Sequence, residues 1–227
     1  MKFSSETLNI LKNFGNINQG ILFKCGKLIK TVSPHKNILT QAEIEEEIPV
    51  DFGVYDLPHF LSTMSAFKDS PNLDFEEKQV LIVGSKGDDK FTYRFCEPTM
   101  IVLPPEKDIV MPEPEVRFEL SAENFDKFMR AANILSSPQV AVKSDGRKVS
   151  IVAMDMQNDS AHTYSLDIAE GTGDVYQIVF KTENISKILS GAYDFSYSSK
   201  GVSHFQNKNV SLKYWITSEA GSSFTPK

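Results

Sequence analysis

Cysteine and long apolar runs are both scarce in this sequence. Among 227 residues, Cys25 and Cys96 are the only cysteines, and they are too few and too far apart for a disulfide framework or a zinc knuckle. We expect both to be buried free thiols, because an unpaired cysteine behaves as a small hydrophobe. No apolar stretch approaches the roughly 20 residues that span a bilayer, and the N-terminus lacks the apolar core of a secretory signal. The composition therefore predicts a protein that stays in the compartment where it is made.

Catalytic motifs are missing as well. The sequence contains no Walker A loop, GxGxxG, GxSxG or HExxH, and its four histidines are scattered, none at ligand spacing from another His or Cys. The acids at 43 and 45–47 could in principle hold a hard cation, but we expect them to form a solvated strand end. We therefore predict no enzyme, no metal and no cofactor. A hydrolase would require a pocket holding a pair of perturbed carboxylates.

The sequence contains an internal repeat of one module. The segment FSSETLNILKNFGNI, which starts at Phe3, returns as LSAENFDKFMRAANI, which starts at Leu120. At an offset of 117 positions, Ser4 falls on Ser121. Because an internal repeat fixes the architecture before any single residue does, we predict two similar domains of roughly 100–120 residues.

A proline-rich stretch separates the two copies. Residues 103–115, LPPEKDIVMPEPE, contain four prolines, and proline favours an extended connector over a helix or a central strand. We place an N-terminal domain at 1–106, the connector at 107–115 and a C-terminal domain at 116–227. Within the connector, Ile109, Val110 and Met111 are apolar, and they either anchor the linker or form the rim of a docking site for a partner peptide. The last nine residues, EAGSSFTPK, are expected to be flexible.

Each copy alternates amphipathic helices with strands. Helices are predicted from about Ser5 to Asn16, after Asp56, after Ser121 and after Thr182, because each apolar pattern follows a residue that can cap a helix N-terminus. The second helix is expected to reach the residue at 67, and the fourth to include Ile185, Ile188 and Leu189. Between the helices, β-branched or alternating segments are separated by turn signals such as CGK, KGD and SDG,. The predicted fold is α+β, with short helices packed on one face of antiparallel sheets.

The outward faces of these helices carry several cations. They are Lys12, Lys127, Arg130 and Lys187, with Lys68 just past the end of the second helix. Exposed lysines of this kind are ordinary on helix surfaces. If both modules place their helices on one side of their sheets, however, the cations gather on a surface suited to weak, salt-sensitive contacts with a phosphate backbone. The net charge of −6 argues against a protein covered by a DNA-binding surface, but it is compatible with one basic patch on an acidic body.

Two segments resemble a known family. LKNFGNINQGILFKCGKLI at 11–29 and VYDLPHFLSTMS at 54–65 are similar to the DNA polymerase sliding clamp of T4-type bacteriophages, and the length, the connector and the third helix fit as well. The resemblance implies a clamp fold with two similar domains, in which three identical subunits close a ring of six modules. Short helices then line the pore and sheets form its outer wall. It makes Lys12, Lys68, Lys127, Arg130 and Lys187 the candidates for contact with DNA.

The same resemblance implies a set of partners. They are double-stranded DNA bound without sequence preference, the replicative DNA polymerase, a clamp-loader ATPase and late-transcription factors, acting in the cytoplasm of an infected bacterial host. No membrane partner is expected. A different class of protein remains open, namely a duplicated adaptor or virion structural protein that binds proteins and not DNA.

Overall fold

The structure, a computed structural model, describes residues 1–107 and 109–227. Asp108, which belongs to the predicted connector, lies outside the described residues. The chain divides into two compact units, unit 1 at Met1–Lys107 and unit 2 at Asp108–Lys227.

Unit 1 combines two helices with short antiparallel sheets. Its described elements follow in the order α1 (Ser5–Ile17), β1 (Ile21–Phe23), β2 (Gly26–Val32), β3 (Ile38–Ile48), β4 (Phe52–Val54), α2 (Leu57–Ser65), β5 (Asn72–Phe75), β6 (Gln79–Val83) and β7 (Lys90–Arg94). Strand β1 pairs with β4, β2 with β3, and β6 with both β5 and β7. All of these pairs are antiparallel, as the hairpin turn signals predicted.

The two helices of unit 1 pack on one another and on the sheet. Helix α1 contacts α2 and strands β2 and β3. Gly15 permits the close approach of the helices, because a Cβ added there would stand 3.4 Å from Pro58 Cδ. Beneath them, Phe23 stacks on Phe52 with ring centroids 4.5 Å apart. Burial of each such aromatic ring contributes about 1.5–3 kcal/mol, so this stack stabilises the pairing of β1 with β4.

Unit 2 repeats the arrangement with longer strands. Its described elements are β8 (Val116–Leu120), α3 (Ala122–Ile134), β9 (Gln139–Asp145), β10 (Lys148–Met154), β11 (Tyr164–Glu170), β12 (Val175–Lys181), α4 (Thr182–Ile185), β13 (Tyr193–Ser198), β14 (Val202–Asn207), β15 (Leu212–Thr217) and β16 (Ser223–Thr225). One sheet has the strand order β11-β10-β9-β12-β16, and the other runs β15-β14-β13-β8. Helix α3 packs on β10 and β11. The core between these elements contains Tyr193, Tyr214 and Phe180, all fully buried.

Of three local predictions, two were wrong. Cys25 is exposed and Cys96 only half-buried; Cys25 lies in a turn, where its backbone N–H donates to Asp51 Oδ1 at 2.7 Å. The predicted solvated strand end is confirmed, because the acids at 45–47 directly precede Ile48, the last residue of the eleven-residue strand β3, and those at 43, 45 and 47 are exposed. The C-terminal residues are ordered, because β16 pairs with β12 and Lys227 N–H donates to Asp174 Oδ1 at 3.0 Å.

Candidate nucleic-acid interface

The first predicted cation lies on the exposed face of α1. Ser4 caps this helix, since its side-chain oxygen accepts a hydrogen bond from Thr7 N–H at 3.1 Å,. The apolar side chains of the helix are buried against the sheet, namely Ile10, Leu11, Phe14 and Ile17. Lys12 lies on the opposite side with Asn9 and Asn16, and all three are exposed,. Amphipathic packing of α1 therefore leaves the Lys12 ammonium in solvent.

Helix α2 has no lysine or arginine of its own. Its predicted N-cap is correct, because Asp56 Oδ1 accepts a hydrogen bond from His59 N–H at 2.8 Å, and this bond lowers the pKa of Asp56. The helix ends at Ser65 and not at Phe67 as the apolar spacing predicted. Lys68 is exposed in the bend that follows the helix. It is therefore a loop residue that lies near the helix end, as the sequence had placed it.

Two cations lie together on α3. Ser121 caps the helix by accepting a hydrogen bond from Asn124 N–H at 3.2 Å, as predicted. Lys127 and Arg130, one turn apart, are exposed,. Ile134, one turn further along the same face, has 76% of its surface exposed. The outer face of α3 thus carries two cations and then an apolar residue.

Helices α1 and α3 align at one sequence offset by their N-caps and at a different offset by their buried residues. Ser4 and Ser121 match at the predicted offset of 117, and each helix has 13 residues. The buried faces match one residue later, at an offset of 118, which pairs Thr7, Ile10, Leu11 and Phe14 with Phe125, Phe128, Met129 and Ala132. In that register Lys12 corresponds to Arg130. Because one residue rotates a helix position by about 100°, only this register places the two cations at the same point of each module.

The fourth predicted helix is a single turn. Helix α4 covers only Thr182–Ile185, and Thr182 is its first residue and not its cap. The chain then continues in tighter turns, in which Lys187 N–H donates to Asn184 O at 3.2 Å. Lys187 therefore lies just past the helical turn, half-buried. The prediction that it lies on an outward helix face was wrong.

Several cations on strands and loops are held in ion pairs, whereas four of the predicted cations are not. The paired groups are Lys24 with Asp51 at 2.8 Å, Lys148 with Asp167 at 2.8 Å and Lys208 with Glu119 at 2.6 Å. Among residues 1–107 and 109–227, Lys12, Lys68, Lys127 and Arg130 form no ion pair. Exposed pairs add little stability, but an acid in contact with a lysine cancels much of its field. Each helix carries as many acids as bases, Glu6 with Lys12 on α1 and Glu123 and Asp126 with Lys127 and Arg130 on α3, so what distinguishes these cations is that no acid among the described residues contacts them.

One of the three apolar connector residues, Met111, lies at a groove of unit 2. Met111 lines a groove of about 520 Å³, together with Pro114, Phe118, Phe195 and His204. Ile109 has 37% and Val110 85% of its surface exposed. We call this feature the connector groove. The structure brings Met111 to an apolar wall and leaves Val110 open to solvent.

Sequence reasoning missed most of this groove because it missed strands β13 and β14. Phe195 and His204 come from these two strands. His204 packs against Trp215, with ring centroids 5.0 Å apart, and burial lowers the pKa of His204 to about 4, with a further contribution from the charge of Lys213. The period-two alternation of aromatic residues in YDFSYS could have identified β13,. In the part of the chain that the structure describes, no three His, Cys, Asp or Glu side chains could hold a metal ion.

Comparison with known proteins places the chain among replication proteins. The family model described as DNA polymerase processivity factor matches residues 4–103. The sliding clamp of Vibrio phage KVP40 is 32% identical over 225 residues, which cover 97% of this chain and 100% of that protein. The chain belongs to the sliding-clamp family. The sliding clamp of Escherichia phage RB69 is 29% identical over 229 residues, 98% of each chain, so the resemblance seen in the two sequence segments is confirmed.

Solved structures show that the sliding clamp has the expected fold. Proliferating cellular nuclear antigen from Entamoeba histolytica matches with a TM-score of 0.70 at 14% identity, over 96% of this chain and 97% of that one. The A. fulgidus antigen, solved with the C-terminal region of FEN-1 bound, matches with a TM-score of 0.68 at 16% identity, over 95% and 96%. The predicted α+β clamp fold is confirmed. None of the described helices of this clamp is both long and apolar enough to cross a bilayer.

Proposed function

We propose that this clamp is a homotrimer that encircles duplex DNA without reading its sequence and tethers the replicative DNA polymerase to the template. The observation that carries the proposal is the correspondence of Lys12 on α1 with Arg130 on α3. Each module presents one exposed cation, free of an ion pair, at the same point of its long helix. Three chains would then supply six equivalent cations around a pore.

The chemistry of these cations suits sliding. Lysine and arginine contact phosphate oxygens, and such contacts position a protein on a duplex but carry no sequence information. Lys68, Lys127 and Lys187 would add further contacts near the same helices. With so few cations, binding stays weak and salt-sensitive. Retention then comes from the closed ring, which requires no catalytic step.

The acidic remainder of the chain supports the same function. The net charge of −6 at pH 7 lies outside α1 and α3, since each of these helices carries as many acids as bases, so phosphate is repelled less by the helices than by the rest of the chain. Such a charge distribution steers a polyanion toward the helices and away from the sheets. The alternative of an adaptor or virion protein gives no reason for the two equivalent cations.

The connector groove is the proposed docking site for partners. Met111 on its wall and the exposed Ile109 and Val110 would receive an apolar tail from the polymerase. The clamp-loader ATPase and late-transcription factors would compete for the same surface. The archaeal antigen bound to the C-terminal region of FEN-1 is a precedent within the same fold for recognition of a partner's terminal segment.

Sedimentation velocity tests the assembly on which this function depends. We expect a species with three times the 25.4 kDa mass of one chain, in a concentration-dependent equilibrium with the monomer. Addition of the trimer, its loader and ATP should lengthen the products of the polymerase on a primed circular template. A chain that stays monomeric at tens of micromolar and leaves product length unchanged would contradict the proposal.

A further inference from the structure

Leu189 is held at both of its backbone polar groups by buried tyrosines. Tyr193 O–H donates to Leu189 O at 2.6 Å, and Leu189 N–H donates to Tyr214 Oη at 3.1 Å. Both tyrosines are fully buried. A backbone segment in a loop ordinarily satisfies such groups with water. Two core side chains instead fix a single residue that lies four positions beyond the end of α4.

The segment around Leu189, residues 186–190, is also tied to α3. Ser190 O–H donates to Asp126 Oδ1 at 2.6 Å, and Asp126 directly precedes Lys127. The following Gly191 approaches Asn207 so closely that an added Cβ would stand 2.7 Å from its Nδ2. The segment is therefore held from the core, from α3 and from β14.

The same segment replaces a missing helix. In unit 1 the second helix is α2, nine residues long, whereas its counterpart α4 in unit 2 has four residues. An isolated turn of that length has no intrinsic stability. After it, the backbone N–H groups of Lys187 and Ile188 donate to the carbonyls three residues earlier, at 3.2 Å and 3.0 Å. Tertiary hydrogen bonds must supply the rigidity that a longer helix would supply by itself.

We infer that Tyr193 and Tyr214 are positioning residues that hold the Lys187 segment against α3, where it serves as the second DNA-facing element of unit 2. This inference rests on the proposed function, because it assigns Lys187 to the surface that contacts DNA. The tyrosines touch no DNA themselves. They act by fixing the backbone at Leu189, two residues from the cation, so that Lys187 reaches phosphate without a further loss of chain entropy.

A double-mutant cycle tests the inference, with binding of the trimer to a short duplex of arbitrary sequence measured as a function of salt. Lys187→Ala should reduce the magnitude of the slope of log K against log salt by up to about three, which is about one lost phosphate contact for each of the three copies in the trimer. Tyr214→Phe keeps the ring but removes the hydroxyl, and it should produce a similar loss. The double variant should bind no worse than Lys187→Ala alone, because the tyrosine acts through that lysine.

Hydrogen exchange gives an independent readout. Amides of residues 186–190 should exchange faster in Tyr214→Phe than in the wild type, with the rest of unit 2 unchanged. Tyr197→Phe is the matched control, since Tyr197 is buried on the same strand as Tyr193 but its hydroxyl faces Ser218 at 3.4 Å. It should alter neither the exchange at 186–190 nor the salt slope. If Tyr214→Phe does not fold, Tyr193→Phe enters the same cycle.

Two outcomes would overturn the inference alone. One is additive loss in the double variant, and the other is a normal salt slope in Lys187→Ala while Arg130→Ala binds DNA more weakly. If Lys187→Ala and Arg130→Ala, measured as separate single variants, both kept the salt slope of the wild type, the proposed DNA surface would be contradicted as well. The cycle therefore separates failure of the positioning role from failure of the function.

Discussion

The hydroxyl of Thr7 on α1 donates a 2.6 Å hydrogen bond to Glu46 Oε2 on β3. The other carboxylate oxygen of Glu46 accepts a bond from Ser4 N–H at the start of the same helix. A strand carboxylate thus completes the N-terminal cap of α1, where the helix dipole also favours a negative charge. This contact fixes the helix that carries Lys12 on its sheet.

Replacing Glu46 with Gln should lower the free energy of unfolding by about 1 kcal/mol. Partial burial raises the pKa of Glu46, but the hydrogen bonds from Thr7 and Ser4 outweigh it and leave the pKa below its usual 4.5. The stabilisation is therefore complete above pH 4.5 and is lost as the pH falls through the lowered pKa. Denaturant unfolding at several pH values measures both effects. Glu45→Gln is the control, since Glu45 is an exposed neighbour; equal losses in the two variants would contradict the capping role.

His204 predicts a second pH dependence. Burial lowers its pKa to about 4, so the folded protein keeps the imidazole neutral while the unfolded chain takes up a proton below pH 6.5. Stability from this residue is present above pH 6.5 and decreases as the pH falls toward 4, by about 1 kcal/mol at pH 5.5. His204→Gln should flatten the dependence between about pH 7 and 5.5. His162→Gln is the control, because His162 is exposed and its replacement should leave the slope of the free energy of unfolding against pH unchanged. An unchanged slope in His204→Gln as well would contradict the prediction.

The equivalent cations predict equal effects on DNA binding. Lys12→Ala and Arg130→Ala should each reduce the magnitude of the salt slope of duplex binding by the same amount, up to about three for the three copies in the trimer, because both occupy the same place in their modules. Fluorescence anisotropy over a range of salt concentrations measures the slope. Lys148→Ala is the control, because Lys148 is already paired with Asp167. A larger loss in Lys148→Ala than in the other two variants would reject the proposed surface.

Val110 tests the connector groove. Because 85% of its surface is exposed, Val110→Asp should leave the stability unchanged. It should nevertheless weaken binding of a peptide that carries the proposed apolar tail of the polymerase by about tenfold, since a charge would enter the apolar contact. Val175→Asp, at another exposed valine of unit 2, should bind the peptide normally. Equal affinities of the two variants would place the docking site elsewhere.

Local signals predicted much of the fold, and tertiary contacts explain what they missed. Asp56 and Ser121 were recognised as caps because a cap depends on residues within one turn. The length of α4 was overestimated because Ile185, Ile188 and Leu189 have helical spacing. In the structure the backbone of Leu189 is instead bonded to the hydroxyl groups of Tyr193 and Tyr214, and the spacing of apolar residues carries no information on such bonds.

The sequence predicted the residues of the site but not the alignment of α1 with α3. The sequence identified Lys12, Lys127 and Arg130 because each lies on the face of its helix opposite the apolar residues. Alignment by the caps gave an offset of 117, which hides the correspondence of Lys12 with Arg130. Only the burial of side chains in both helices shows that the packed faces differ from the caps by one residue.

Retention on DNA of different topology tests the central claim most directly. The trimer is loaded on a nicked circular plasmid, separated from free protein at moderate salt, and compared with the same plasmid after linearisation. A closed ring predicts that the clamp stays with the circle and runs off the linear molecule through its ends. Equal retention on both forms, or equal loss from both, would contradict encirclement.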